Sequence, residues 1–195
     1  VDQVPAFSGS GHVTDLYYCE YTNDYLPEVY YGRFSATTIE QLLPQIDKTL
    51  EYEKYEMSDP SFLNEVVMTA GMDSGHGSSW GNGQINYGTS YYFNQSHGLT
   101  SYTYLYPQSG SHSQDIIQHV SDGVAYANYT AHGNWDGWSD PSSKNSDITG
   151  LQNQGKYPLM VGNCCLTNKF EVDECFGEAL LRAENKGALG YIGGS

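Results

Sequence analysis

Val124-Ala-Tyr-Ala-Asn-Tyr-Thr130 runs straight into Ala131-His132-Gly133, and Tyr157-Pro-Leu-Met-Val-Gly162 runs straight into Asn163-Cys164-Cys165. Each stretch is a short apolar run of strand length that ends in residues able to do chemistry. Upstream, Glu65-Val-Val-Met-Thr-Ala-Gly71 reads as another buried strand. A Gly- and Ser-rich loop over 72–83 follows, then a helix from Gln84 to Gln95 and a Tyr-rich strand near 101–105. The spacing from Ser113 to Asp122 predicts a helix closed by Gly123. A helix is expected over 144–154, between the two quoted strands. Beyond them, Glu174 to Lys186 predicts a helix with Gly187 just past its end, and Leu189-Gly-Tyr-Ile192 starts a further strand. Strands alternating with helices predict an α/β fold, with a mostly parallel sheet covered on both faces. In such sheets ligands gather at the carboxyl ends of the strands. His132 and Cys165 both fall there.

The N-terminal part is read less directly. Residues 1–14 are rich in Gly and Ser and predict a loop. Glu28-Val-Tyr-Tyr-Gly-Arg-Phe34 alternates and predicts a strand. Thr37 or Thr38 can cap a helix running to about Glu56, with Ile39, Leu42, Leu43, Ile46 and Leu50 on one side. Pro44 is expected to kink it. Asp59-Pro60 marks a linker.

Of 195 residues, 38% are hydrophobic and 16% charged, a folded rather than a disordered composition. Eight Lys and Arg stand against 23 Asp and Glu, a net charge of -15. Such a surface repels phosphate backbones, which argues against a nucleic-acid partner. It attracts cations and basic peptides, or else simply keeps the protein soluble. No apolar run approaches the roughly 18 residues of a membrane span. The opening Val-Asp-Gln-Val-Pro lacks the pattern of a signal peptide. Cys19, Cys164, Cys165 and Cys175 are too few for a disulfide framework, and their spacing does not suit a zinc site. His12, His76, His97, His112 and His119 show no paired metal spacing.

A Cys and a His at neighbouring strand ends can share one cleft. The imidazole would take the thiol proton and leave a thiolate nucleophile. Gly133 frees the backbone after His132, and its N–H with that of Cys165 could form an oxyanion hole. The competing reading is a vicinal cysteine pair with no role.

The chain resembles the gingipain family of secreted bacterial cysteine endopeptidases, and its lysine-specific branch more than its arginine-specific one. The matching stretches are Val13-Thr-Asp-Leu-Tyr-Tyr18, Asp24-Tyr-Leu-Pro-Glu28, Ile46-Asp-Lys48, Ala127-Asn-Tyr-Thr-Ala-His-Gly133, Gly162-Asn-Cys-Cys165, Cys175-Phe-Gly-Glu178 and Gly190-Tyr-Ile-Gly193. The His and the second Cys stand 33 residues apart, as in that family.

The resemblance implies a caspase-like α/β/α sandwich, incomplete at both ends. Residues 1–59 would be the tail of a first catalytic subdomain and 60–195 the front of the second. The chain would then be a piece of a longer catalytic domain, or one fragment of a nicked protease held to its other fragments. The resemblance makes Cys165 the nucleophile, His132 the general base and Asp73 the third member of the triad, unless Asp73 is an ordinary loop carboxylate. Cys164 would line the pocket wall. Thr130 and Asn163 would border the pocket for the substrate's P1 side chain, Lys being favoured, or would be plain strand-end packing. The acid that pairs with that Lys in the family would lie past Ser195. Trp135 and Trp138 would wall the cleft or simply pack.

Thr22-Asn-Asp-Tyr-Leu-Pro-Glu28 resembles a structural calcium loop. Asp24 and Glu28 would give carboxylates, Leu26 a carbonyl, and Thr22 stands where the family has a further Asp. The alternative is a solvated acidic turn. Protein or peptide substrates and a secreted or bacterial cell-surface location go with the family. Two other functions stay open: a transpeptidase of the same fold, and a non-catalytic calcium-binding surface domain.

Overall fold

The structure is a computed structural model that describes residues 6–9 and 12–195. The loop expected over 1–14 falls partly outside that range. Within it, β1 (Phe7–Gly9) and β2 (His12–Thr14) pair antiparallel, so this stretch is a hairpin instead of a loop. From 15 to 38 the chain is irregular apart from a short 3-10 turn. The strand expected over Glu28–Phe34 does not form. Tyr30, Tyr31 and Phe34 are exposed. Arg33 is held instead by its fork on Asp15, with N···O distances of 2.7 and 2.6 Å, and lies over the Phe170 ring. Alternation makes a strand only where a neighbour supplies a ladder, and among the described residues no strand pairs with this segment.

Helix α1 (Ile39–Glu53) starts where expected, with the Thr38 hydroxyl accepting the Gln41 N–H. It continues through Pro44. Its buried residues are not the expected stripe. Ile39, Leu43 and Leu50 are exposed, whereas Gln45 and Lys48 are buried. The reason is what α1 packs on, the helix α5 (Phe176–Arg182). Lys48 Nζ donates to the carbonyls of Leu180, Ala183 and Lys186, each at 3.1 Å. Gln45 Nε2 donates to Ser35 and Gln41 carbonyls.

The remainder is a parallel sheet with helices between strands. In chain order come β3 (Glu65–Ala70), α2 (Asn82–Tyr91), β4 (Thr100–Tyr104), α3 (Ser113–Asp122), β5 (Tyr126–Thr130), β6 (Gly133–Asn134), β7 (Gly137–Trp138), β8 (Ser143–Lys144), α4 (Asn145–Ile148), β9 (Leu159–Asn163), α5 and β10 (Gly190–Gly193). The sheet order is β10-β9-β5-β3-β4, parallel throughout. Strands β6 to β8 form a small antiparallel sheet of their own.

Alternation along β3 decides which side chain meets which layer. Val66, Met68 and Ala70 pack with Ile85 of α2 on one face. Val67 joins Ile116 and Val120 of α3, Ala127 and Tyr129 of β5, and Phe176 and Leu180 of α5 on the other. The expected three-layer α/β arrangement with a parallel sheet is therefore the one observed.

Four expected elements are altered, the first being the helix expected from Gln84 to Gln95, which is α2 and ends at Tyr91. The helix over 144–154 is the single turn α4. The chain leaves the helix in the turn at Thr149 and Gly150, and beyond it the buried Asn153 amide pairs both ways with the backbone of Gly187. Helix α5 is shorter than the predicted 174–186. It opens with the Cys175 N–H on the Glu178 carboxylate and stops where Ala183 turns extended. The loop over 72–83 contains a π-helical turn at Gly77–Gly81, and α2 follows it directly.

Candidate active site

Three adjacent strands deliver three side chains to one edge of the sheet. Ala70 of β3 is level with Thr130 of β5, and Thr130 is level with Asn163 of β9. Asp73 follows the first strand, His132 the second and Cys165 the third, each within a few residues of the strand end. Nε2 of His132 lies 3.1 Å from Oδ2 of Asp73, and the imidazole is 63% exposed. The other oxygen, Oδ1, accepts the N–H groups of Gly75 and His76 at 2.8 and 2.9 Å. Those backbone bonds, the one from His76 foremost, and then the positive charge of a protonated His132, hold the Asp73 carboxyl below its ordinary value. It is an anion fixed in place, with one oxygen left to face the imidazole.

The His and Cys loops touch. A Cβ on Gly133 would stand 2.7 Å from Cys164 Sγ and 2.9 Å from the carbonyl oxygen of Cys165. Only a residue without a side chain fits between them. The four cysteines are all free, so none is locked in a disulfide. Cys165 is exposed; Cys164 is half-buried, and Cys19 and Cys175 are buried. Burial pushes the Cys164 thiol up to about 11 and that of Cys175 up to about 12, which makes both poor nucleophiles. Cys164 Sγ sits 3.7 Å from Thr167 Oγ1.

Two residues that the sequence reading passed over support this edge. Tyr129, fully buried, donates its hydroxyl to the His132 carbonyl at 2.8 Å and to that of Asp140 at 3.2 Å. Gln84, on α2, accepts through Oε1 from the Thr130 hydroxyl at 2.5 Å and from Asn163 Nδ2 at 3.4 Å. Thr130 and Asn163 therefore converge on one side chain. Both contacts span long sequence distances, so no local pattern signals them.

The two tryptophans separate. Trp138 does not wall a cleft: it is fully buried, stacked 4.8 Å from Tyr129, with its N–H on the Tyr191 hydroxyl. Trp135 is 44% exposed, while its carbonyl accepts the Phe176 N–H at 2.7 Å.

Nearer the start of the chain, carboxylate oxygens of Glu20, Asp24 and Glu28 lie within 4.8 Å of one another. Asn23 and Tyr25 have positive φ, which curls the loop. Glu28 accepts from the Thr22 hydroxyl at 2.6 Å and the Tyr21 N–H, and in that order these bonds hold its carboxyl below its ordinary value. Leu26 turns its N–H to Asp24 Oδ1 at 2.9 Å. Three carboxylates gathered in a curved loop suit a hard cation with oxygen ligands. Glu20 is the member that the sequence reading did not include.

A family model described as peptidase family C25 matches residues 2–195. The chain belongs to peptidase family C25. Among its C25 relatives, Lys-gingipain W83 of Porphyromonas gingivalis is 47% identical over 186 residues, which cover 94% of this chain and 10% of that relative. Gingipain R1 of the same organism is 28% identical over 193 residues, covering 94% of this chain and 19% of its own length. A solved protease structure superposes with a TM-score of 0.85 at 46% identity, over 93% of this chain and 40% of that one. The crystal structure of the Arg-specific cysteine proteinase gingipain R gives 0.80 at 26% identity, over 96% and 45%. The chain thus spans about a tenth of the Lys-gingipain it matches. The resemblance to the gingipain family and the caspase-like α/β fold that it implied both hold.

Proposed function

We propose that this chain carries the catalytic centre of a cysteine endopeptidase that cleaves proteins after a basic P1 residue, Lys favoured. Cys165 attacks the scissile carbonyl, His132 takes the thiol proton and returns it to the leaving amine, and Asp73 fixes the imidazole tautomer. The N–H groups of Gly133 and Cys165 stabilise the oxyanion. An acyl-enzyme forms on Cys165, and water releases it with His132 as base. Thr130, Asn163, Cys164 and Trp135 border the substrate. The observation that carries this reading is the 3.1 Å contact between His132 and Asp73 at the edge where exposed Cys165 also emerges.

Further parts of the reading go with it. Residues 1–59 are the tail of a first subdomain, fastened to the second through Lys48 and through Ser35, whose hydroxyl donates to Glu178 at 2.5 Å. Calcium at Glu20, Asp24 and Glu28 is structural, with Thr22 and Leu26 shaping the loop. The protease acts in a secreted or cell-surface setting. No helix among the described residues is long and apolar enough to cross a membrane.

The test is covalent labelling of the full-length protease with an acyl-lysyl chloromethyl ketone. One adduct is expected, on Cys165, with none on Cys164, and none after Cys165→Ala. An adduct on Cys164, or no adduct in active preparations, would overturn the assignment. Hydrolysis products in the presence of an added amine separate a peptidase from a transpeptidase.

A further inference from the structure

Gln84 brings the strand ends of β5 and β9 to a single oxygen. Its Oε1 takes the Thr130 hydroxyl proton at 2.5 Å and an Asn163 amide proton at 3.4 Å. A hydroxyl has one proton and two lone pairs. The proton of Thr130 is therefore spent on Gln84. One lone pair receives Asn128 Nδ2 at 3.4 Å. What remains free on Thr130 is a single acceptor site. Asn163 is oriented in the same way: with Nδ2 turned to Gln84, its Oδ1 is the end turned away.

We infer that Gln84 is a specificity-determining positioning residue that turns the Thr130–Asn163 rim into hydrogen-bond acceptors, selecting a P1 side chain that ends in a donor-only cation such as the Lys ammonium over an apolar one. This rests on the basic-P1 reading above and extends it to a residue on α2. An ammonium carries three donors and no acceptor. It pairs with Thr130 only if the hydroxyl proton is directed elsewhere, and Gln84 Oε1 is where it goes. Without that acceptor the hydroxyl rotates freely and presents its proton to the cation part of the time. An apolar P1 side chain of the same length makes no use of this arrangement. Gln84 is exposed and caps no core element, so its long-range bonds are not needed to bury it.

The experiment compares the full-length protease with Gln84→Met and Gln84→Glu, on matched peptides with Lys or norleucine at P1. Methionine keeps the length of the side chain and removes the acceptor; glutamate keeps the acceptor. Loss of one hydrogen-bond arrangement to a charged group predicts that the Lys-over-norleucine ratio in kcat/KM falls about tenfold or more in Gln84→Met. The loss is expected mainly in KM, and Gln84→Glu should keep the native ratio or raise it. If Gln84→Met slows both peptides equally, or leaves the ratio intact, Gln84 does not set specificity. If Gln84→Glu loses the ratio as Gln84→Met does, the acceptor is not what matters. If the native enzyme itself fails to prefer Lys over norleucine, the basic-P1 reading falls first and this inference falls with it. That outcome is distinct from a native preference that survives in Gln84→Met.

Discussion

At the scale of single residues, Asp73 shows how one carboxylate divides its work. One oxygen is committed to the backbone of its own loop and the other to His132. Asp73→Asn separates the two tasks. The amide oxygen can still accept from Gly75 and His76, so the loop keeps its shape. The amide nitrogen then faces the imidazole as a donor and favours the wrong tautomer. We expect kcat to fall by a factor on the order of a hundred to ten thousand, with a smaller change in KM and an unaltered melting temperature. Steady-state kinetics beside a thermal melt checks this; a kcat within a few-fold of native would show that Asp73 has no part in orienting the base. How legible were these residues? His132 and Cys165 announce themselves, because each ends an apolar run. Asp73 needed the family pattern, since an acid in a Gly- and Ser-rich loop looks like any other. Tyr129 and Gln84 were hidden. One reads as a core strand residue and the other as the start of a helix, and their hydrogen bonds exist only once the sheet is assembled.

At the scale of elements, the strands of the sheet were readable to within a few residues, because runs such as Val66 to Ala70 are buried on both sides. Helix α1 was not. Its apolar stripe suggested one face, yet the face it buries carries Gln45 and Lys48. The partner surface explains the choice. Helix α5 ends with carbonyls that have no intrahelical donor, and the Lys48 ammonium supplies three N–H groups there. Burial pulls the Lys48 ammonium down to about 7, so its charge faces the negative end of the helix dipole only where it is protonated, and the contact is expected to weaken as pH rises through that value. Replacing Lys48 with Met keeps the aliphatic stem and removes those donors. The Ala183 and Lys186 carbonyls then lose the Lys48 N–H groups at a partly buried contact, while the Leu180 carbonyl keeps the Ala188 N–H. We expect a loss of about 3 kcal/mol in unfolding free energy. A lower denaturant midpoint with an unchanged slope would report it. A midpoint equal to native would mean that the α1–α5 contact is held by packing alone. Lys48 bonds the end of α5 and the turn after it, and no part of the catalytic edge, so labelling of Cys165 in the folded variant should persist.

At the scale of the whole molecule, charge is the property to reckon with. The net charge of -15 acts against any compact state through self-repulsion. Gathering Glu20, Asp24 and Glu28 within 4.8 Å adds to that cost, and a bound divalent cation would reverse it. The loop lies in the irregular segment between β2 and α1, which among the described residues has no sheet ladder to hold it. It is closed instead by the Glu28 N–H on the Cys19 carbonyl at 2.9 Å and by side-chain bonds to Glu28. Composition reveals the acidity of this stretch, but only the turn through Asn23 and Tyr25 brings Glu20 back to the other two acids. A ligand that binds the folded state alone stabilises it by about 2.7 kcal/mol when present at a hundred times its dissociation constant. Chelating calcium from the full-length protease should therefore lower its melting temperature by several degrees, and added calcium should restore it. A Glu20→Gln, Asp24→Asn double variant should start near the chelated value and ignore both treatments. If native protein melts identically with chelator and with calcium, the three carboxylates form a solvated acidic turn and the fold is held together without an ion.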